Sequence, residues 1–357
     1  MEDMGLDPAF WHGRRVLLTG HTGFKGSWLS LWLSALGAHV TGFSNEVPGP
    51  PSLFEAARVA ELVDHRIGDV RDRDAVAAAV REARPEVVLH LAAQPFVRRS
   101  FREPVETYAT NVMGTVHVLD AVRQAGDVLA TVVVTSDKCY DNRGQGRPFT
   151  EDDCMGGHDP YSNSKGAAEL VTDAYRRSYE LPIASGRAGN VIGGGDWGED
   201  RLIPDMMRGA LAGTPIPIRR PDAVRPWQHV LNPLSGYLLL AQTLAAGEHQ
   251  VAEGWNFGPP PDDAQPVAHI VERLTALWPG ELRWDVDPGP HPHEATYLAL
   301  DSTKARERLG WAPAWDLEQT LASIVGWFVA YGDGEDMRAV TREQIDAFQG
   351  VWLHSGR

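Results

Sequence analysis

Tyr161 and Lys165 stand four residues apart in Tyr-Ser-Asn-Ser-Lys, at the head of a stretch that Ala168, Leu170 and Val171 continue in a helical pattern. Residues at that spacing share one face of a helix. A phenol with a pKa of about 10 is a poor base at neutral pH, and a nearby ammonium stabilises its phenolate. The pair could take a proton from an alcohol while a hydride leaves the same carbon. Alone, the spacing is common in unrelated helices. The run Thr135-Ser136-Asp137-Lys138-Cys139-Tyr140 adds what the pair lacks. Ser136 offers a hydroxyl to the same reacting oxygen. Asp137 and Lys138 lie just past a predicted strand, at the edge where ligands bind in open α/β sheets. In isolation Asp137 can also be read as a turn cap; beside the tyrosine–lysine pair, catalysis is the better reading.

A third pattern, Thr19-Gly20-His21-Thr22-Gly23-Phe24-Lys25-Gly26, follows a predicted strand and opens a predicted helix. Gly20 permits a tight turn, Gly23 lets backbone approach a pyrophosphate, and Gly26 lets helix and strand pack closely. The helix start would offer N–H groups and a positive dipole to phosphates. The segment Gly20 and Thr22–Gly26 is therefore the expected dinucleotide cradle. The acid that commonly closes the second strand is missing, with Ser44, Asn45 and Glu46 in its place, and no Arg stands nearby for a 2′-phosphate. NAD is thus expected rather than NADP. Asp69 and Val70, after the third strand, either hold the adenine or merely cap the strand. Leu91, Ala92 and Ala93 would line the cofactor cleft, with Gln94 on the substrate side.

These groups need elements to carry them. Apolar runs at 16–19, 39–43, 66–70, 87–92 and 131–135 alternate with helical patterns at 25–36, 73–83 and 107–125. Such alternation predicts right-handed crossovers and a Rossmann-type, doubly wound parallel sheet. Past residue 184 the texture changes to a Gly- and Pro-punctuated one, with scattered helices near 234–246, 267–277, 302–309 and 317–331. The expected organisation is a mainly dinucleotide-binding domain over 1–186, a mainly substrate-binding α/β lobe over 187–331 that returns strands to the sheet, and a helical tail over 332–357.

A net charge of -15 argues against nucleic acid as partner, since a phosphate backbone needs a clustered cationic face. Two cysteines, Cys139 and Cys154, give no disulfide framework and fit a reducing cytoplasm. The first thirteen residues have no apolar core of a signal peptide, and no stretch approaches the roughly 20 residues of a membrane span. His291 and His293, two apart in a proline-rich loop, make no credible metal site.

Taken together, the glycine loop, the Tyr-x-x-x-Lys pair and the strand-end serine resemble the extended short-chain dehydrogenase family of nucleotide-sugar enzymes, over residues 10–331. Within it the likeness is to the CDP-glucose 4,6-dehydratases, carried by Gly20–Leu29, by Ser136–Asn142, by 187–197 with its Gly193-Gly194-Gly195-Asp196-Trp197, and by Arg225-Pro226-Trp227-Gln228-His229-Val230-Leu231. The resemblance implies a tightly bound NAD regenerated in each turnover and a nucleotide-sugar substrate, CDP-glucose. It also implies a homodimer built on helices such as 107–125 and 161–178. Tyr161, Lys165 and Ser136 would oxidise C4, and Asp137 would supply the proton that expels the C6 hydroxyl. In the related dTDP-glucose enzymes a glutamate follows the aspartate; here it is Lys138, either a base at C5 or an electrostatic stabiliser of the enolate. A 4-epimerase or reductase would share the tyrosine and lysine but has no need of Asp137. For the substrate, Asn190 could bind sugar or phosphate, and Arg201, Arg219 and Arg225 suit a diphosphate. Arg219 fits solvated surface as well. Trp197 and Trp227 either cover base or sugar or pack in the core. Glu294 matches the subfamily.

Overall fold

The computed structural model describes residues 5–287, 289 and 297–355. Unbroken Val, Leu and Ile runs are what a parallel sheet covered on both faces requires. They form β1 (Arg15–Thr19), β4 (Val87–His90) and β5 (Ala130–Val134) at the centre, flanked by the less apolar β2 (His39–Ser44), β3 (Asp64–Ile67) and β6 (Ile183–Arg187). A seventh strand, Gly254–Asn256, comes from the second half of the chain, and the sheet order is Gly254–Asn256, β6, β5, β4, β1, β2, β3. Every pairing is parallel. The third strand sits two to three residues earlier than its apolar pattern predicts. The chain breaks away at Gly68, where a Cβ would lie 2.3 Å from the Phe43 ring, and Asp69 then closes a turn on the Arg71 N–H at 2.8 Å.

The covering helices needed below are α1 (Phe24–Ala35), α2 (Arg73–Ala83), α3 (Gly114–Ala125) and α4 (Pro160–Tyr179) from the first half. From the second come α5 (Leu202–Ala212), α6 (Leu231–Ala245), α7 (Leu317–Gly332) and α8 (Met337–Ser355). The single helix expected over 107–125 is instead a short helix, Pro104–Tyr108, a π-helical turn, Ala109–Met113, and then α3. A π turn inserts an extra residue into the helical ladder and re-aims side chains. Here Asn111 reaches sideways, accepting from the Gln94 N–H at 2.8 Å and donating to Ser164 Oγ at 2.8 Å. The loop after β4 is thereby tied to α4.

Strand order reverses direction between β1 and β4, and the crevice outside their carboxyl ends is the ligand position of such sheets. The glycine turn after β1, residues 91–94 after β4, Ser136 after β5 and Gly189 after β6 all emerge there. One core joins both halves: Leu18 and Val132 from the sheet, Trp28 from α1, Leu234 and Leu238 from α6, Trp327 from α7 and Phe348 from α8 belong to one buried cluster. Helix α8 closes over α1 with the Trp32 and Phe348 rings 5.6 Å apart. Three two-stranded sheets complete the second half: Val191–Ile192 with Gln228–His229, Val224–Pro226 with Ala264–Pro266, and Ile216–Ile218 with Trp284–Val286.

The glycine run 193–195 is explained by contact with a ring. A Cβ on Gly194 would stand 2.1 Å from Trp327 Cγ, while the Gly194 carbonyl accepts from Trp28 Nε1 at 2.9 Å. Two fully buried indoles are registered by one residue. Gly194→Ala is therefore expected to destabilise the fold by about 1–3 kcal/mol, the usual range for an overpacked core. A thermal melt unchanged from wild type would show that the Trp327 contact yields freely.

Candidate active site

Helix α4 starts at Asp159, whose carboxylate accepts from the Ser162 N–H at 2.9 Å, followed by Pro160 at the first helical position. This cap places Tyr161 in the first turn and Lys165 one turn on, both buried. Opposite them, β5 runs out into a 3-10 turn, Asp137–Cys139, capped by Ser136, whose Oγ accepts from the Lys138 N–H at 3.2 Å. Ser136 Oγ also donates to Asp137 Oδ1 at 2.9 Å. The second oxygen, Asp137 Oδ2, is buried and has no hydrogen-bond partner among the described residues. It lies on Gly189, where a Cβ would be only 1.8 Å away, so glycine there makes room for the carboxyl group. Tyr161 and Asp137 share one site, close enough that the carboxylate acts on the phenol's acidity.

That acidity departs from the expectation. Burial pushes the Tyr161 phenol up to about 12, hydrogen bonding with Ser136 and the charge of Arg201 oppose the rise, and Asp137 adds to it. The Lys165 ammonium donates to the Val134 carbonyl at 3.3 Å, and burial brings its own pKa down to about 8. Burial works against both ions at once, which helical spacing alone does not reveal.

A third cation meets them. Lys25, in the first turn of α1, is half-buried, and burial with the charges of Lys165 and Arg201 lowers it to about 7 against the opposing pull of Asp137 and Asp196. Lys25, Lys138, Lys165 and Lys304 are the only lysines in the chain, and the first three border this site, a clustering that composition could have signalled. Lys138 is half-buried and pairs with no carboxylate among the described residues. Beneath the turn lies a network that motif reading missed: buried Glu169 pairs with Arg187 at 2.9 Å.

The glycine turn has the shape its spacing predicts. Gly20 has φ +77°, and a Cβ there would be 2.7 Å from Ala92 N; at Gly26 it would be 2.0 Å from the Gly20 carbonyl oxygen. Helix α1 has Gly23 as N-cap and no side-chain cap, so the N–H groups of its first turn are left to a ligand. Around the turn, Thr22 Oγ1 donates to the Glu46 carbonyl at 2.7 Å and Ala92 N–H donates to Thr19 Oγ1 at 3.2 Å. Where the acid after β2 is missing, a chain of polar groups stands instead: Ser44 Oγ to His21 Nδ1 at 2.9 Å, and His21 Nε2 to His65 Nδ1 at 2.6 Å. Burial and the charge of His65 depress His21 to about 4, so this ring is neutral. Asp69 accepts from the Arg71 N–H at 2.8 Å and pairs with the Arg71 guanidinium at 2.5 Å, and Val70 is buried against Gly114. Leu91 and Ala93 border the crevice half-buried.

Other expected groups are turned elsewhere. The Gln94 amide is committed inward, accepting from the Phe96 N–H at 2.6 Å and donating to Thr107 Oγ1 at 2.8 Å. Trp197 packs on Phe328 and Tyr331, each ring 5.1 Å away, and Trp227 donates to the Gln265 carbonyl at 2.9 Å, so both serve packing. Asn190 is half-buried at φ +42° after β6. Arg201 pairs with Asp196 at 3.1 Å beside the reacting groups. Arg225 is buried on its short strand. Arg219 lines a cleft of about 490 Å³ with Arg98, Arg208, Asp200 and Asp205, where Asp200 holds Arg98 at 3.3 Å and Arg219 at 3.0 Å. Arg98, Arg208 and Arg219 face Asp200, Asp205 and Asp287 across this cleft, so its cations are matched by carboxylates. Glu294, with His291 and His293, lies outside the described residues.

The family profile described as GDP-mannose 4,6 dehydratase matches residues 17–324. Over 355 residues the chain is 51% identical to a CDP-glucose 4,6-dehydratase of Salmonella typhimurium, covering 97% of this chain and 99% of that one. It is 29% identical over 334 residues to a dTDP-glucose 4,6-dehydratase of Xanthomonas campestris, covering 88% and 92% respectively. Among solved structures, a dTDP-glucose 4,6-dehydratase from Streptomyces venezuelae with NAD bound superposes with a TM-score of 0.76 at 25% identity, over 91% of this chain and 99% of that one. A UDP-glucose 4-epimerase of Thermus thermophilus in complex with NAD gives 0.77 at 27% identity, over 88% and 99%.

Three buried rings set an acid limit on this architecture. Burial lowers His21 to about 4, and His90 and His229 to about 3, from 6.5. The unfolded chain takes up those protons below about pH 6.5 while the native rings refuse them, so stability must fall as pH drops through that window. Urea midpoints are expected to decline steadily from about pH 6.5 to pH 4. A flat profile there would mean that the rings are already charged in the folded protein.

Proposed function

The chain belongs to the GDP-mannose 4,6-dehydratase family, and on that footing we propose that it converts CDP-D-glucose to CDP-4-dehydro-6-deoxy-D-glucose with NAD. The observation that carries this reading is Asp137: a buried carboxyl group with one oxygen unpartnered, beside Tyr161 and Ser136. Oxidation and return at C4 alone would need no such acid. The uncapped helix start, the close glycine turn and the absence of a basic residue after β2 fit NAD. The turn from Gly20 to Gly26 and the start of α1 would hold NAD, which would supply a hydride acceptor for C4 and a hydride donor for C6.

The side chains divide the remaining work. Tyr161 takes the C4 hydroxyl proton, with Ser136 holding the same oxygen. The ketone formed makes the C5 proton acidic, which is why oxidation precedes elimination. Asp137 gives a proton to the departing C6 hydroxyl, and water leaves. Lys138 either takes the C5 proton as a neutral amine and restores it to C5, or stays charged and stabilises the enolate while water carries the C5 proton off and back. The proton gained by Tyr161 equals the one given up by Asp137, so the cycle closes without external acid. Arg201, Arg219 and Arg225 supply the cations for the diphosphate, and the arginine-lined cleft offers the nucleotide a place. The lobe built after residue 187 is thus the substrate side. Asp69 and Val70 are retained as the adenine edge. Cys139 and Cys154 are both unpaired, in keeping with a cytoplasmic site of action.

We further propose a homodimer of this chain. Val105, Leu170, Phe101 and Met113 expose apolar side chains on the Pro104–Tyr108 and α4 helices and their neighbours, with Val105 82% exposed. Tyr108 donates to Asn163 at 2.9 Å and locks the two helices together. Among large apolar patches, such a paired-helix face is suited to its own copy. Val105→Glu combined with Leu170→Glu is expected to shift sedimentation from dimer to monomer, whereas a wild-type monomer would end this part of the reading.

Incubation with CDP-glucose is expected to yield a 4-keto product with its alkaline absorbance. Asp137→Asn is expected to slow product formation by about 10²–10⁴-fold, the usual weight of a general acid, while reduced nicotinamide accumulates because C4 oxidation persists. Product formed by that variant at the wild-type rate would remove Asp137 from the chemistry. Lys138→Met is expected to lose turnover; full retention would exclude Lys138. Epimerised sugar in place of a 4-keto product would favour the epimerase reading instead.

A further inference from the structure

Tyr161, Lys165 and Glu169 follow one another at intervals of four on α4, so a single face carries phenol, ammonium and carboxylate. The proposed reaction uses the first two. Glu169 is as buried as they are, and what it touches is the frame of the catalytic turn. Its carboxylate accepts from Thr135 Oγ1, directly before Ser136, from Ser185 Oγ at 2.6 Å and from Arg187 Nη2 at 2.9 Å. Arg187 continues through Nη1 to the Tyr140 phenol oxygen at 2.7 Å, directly after the Asp137–Cys139 turn. Tyr140 donates to Asn256 Oδ1 at 2.7 Å, and the Asn256 amide donates to the Phe149 and Asp301 carbonyls at 2.9 and 3.1 Å. The turn bearing Asp137 and Lys138 is bracketed at both ends by one ion pair.

A buried ion pair is weak as a source of stability, because desolvation offsets the attraction. Its charge has a second addressee. Burial lowers Lys165, while Glu169 and Cys139 raise it; from the other elements, Lys25 on α1 and His90 at the end of β4 feel its positive charge in turn. Burial pushes the Glu169 carboxyl up, but Arg187 with the Ser185 and Thr135 hydroxyls outweighs that and keeps it ionised. We infer that Glu169 and Arg187 are a positioning pair, holding the Ser136–Lys138 turn against α4 and presenting to Lys165 the negative charge that keeps it an ammonium. The inference rests on Tyr161 and Lys165 being the reacting pair.

With only four lysines, isotope labelling of lysine side chains in the full chain is expected to give four NMR signals, that of Lys165 being the one absent from Lys165→Met. Followed against pH without substrate, the Lys165 transition is expected to move down by about one unit in Glu169→Gln, the lower end of what a neighbouring opposite charge supplies. Arg187→Met is expected to move it the same way, since a buried carboxyl deprived of its cation takes up a proton. Arg187→Lys is expected to restore it. Should the single variants not fold with a stranded charge, Glu169→Gln with Arg187→Met removes both charges, and the same downward shift is expected. A Lys165 transition at its wild-type pH in the folded variants would overturn the inference even if turnover fell, because a purely structural pair would lower turnover without moving that proton. The titration needs no substrate, so it stands or falls separately from the CDP-glucose assay.

Discussion

Burial of charge at the carboxyl edge of the sheet is the constraint on which the site depends. Lys165, Asp137, Glu169 and Arg187 are each less than a tenth exposed, and Lys25 is half-buried beside them. Removing an ion from water costs several kcal/mol unless partners compensate. The chain meets that demand unevenly. Glu169 is satisfied by a cation and two hydroxyls, whereas Asp137 keeps one oxygen without a partner. The satisfied carboxylate braces the frame; the carboxyl group with the open oxygen is left for a substrate.

Close backbone approach makes this burial possible. Gly20, Gly26 and Gly189 each stand where a Cβ would lie within 2.7 Å of another atom: Ala92 N, the Gly20 carbonyl oxygen and Asp137 Oδ2 respectively. At Gly20 and Gly26 the absent side chain lets the turn and helix close on the sheet. At Gly189 it seats a carboxyl group. The same device seats Trp327 on Gly194, whose carbonyl takes the Trp28 Nε1–H from the first half, so the lobe and the sheet share one core rather than two.

Much of this was legible in the order of residues. The glycine loop, the tyrosine–lysine pair and the Ser136–Lys138 turn were found because each is local: a few residues within a single strand end or helix start, where spacing alone decides which face a side chain takes. The edge strand was misplaced by two to three residues because Gly68 ends it through contact with Phe43, a neighbour in space. The helix over 107–125 hid a π turn, since what stabilises Asn111 there comes from Gln94 and Ser164. Gln94, Trp197 and Trp227 carried plausible chemistry by type, yet their polar atoms or rings face packing partners that no local pattern names.

Sequence by itself determined the parallel α/β architecture, the cofactor turn and which residue types arrive at the sheet's working edge, because period, glycine spacing and strand-end position are properties of short segments. Only the tertiary structure decided how acidic those groups are and which of them meet. Lys25 comes from the first helix, Arg187 from the sixth strand and Arg98 from a helix far from Arg219. Proton affinity depends on desolvation and on charges a few ångströms away, and both are set by how distant segments pack.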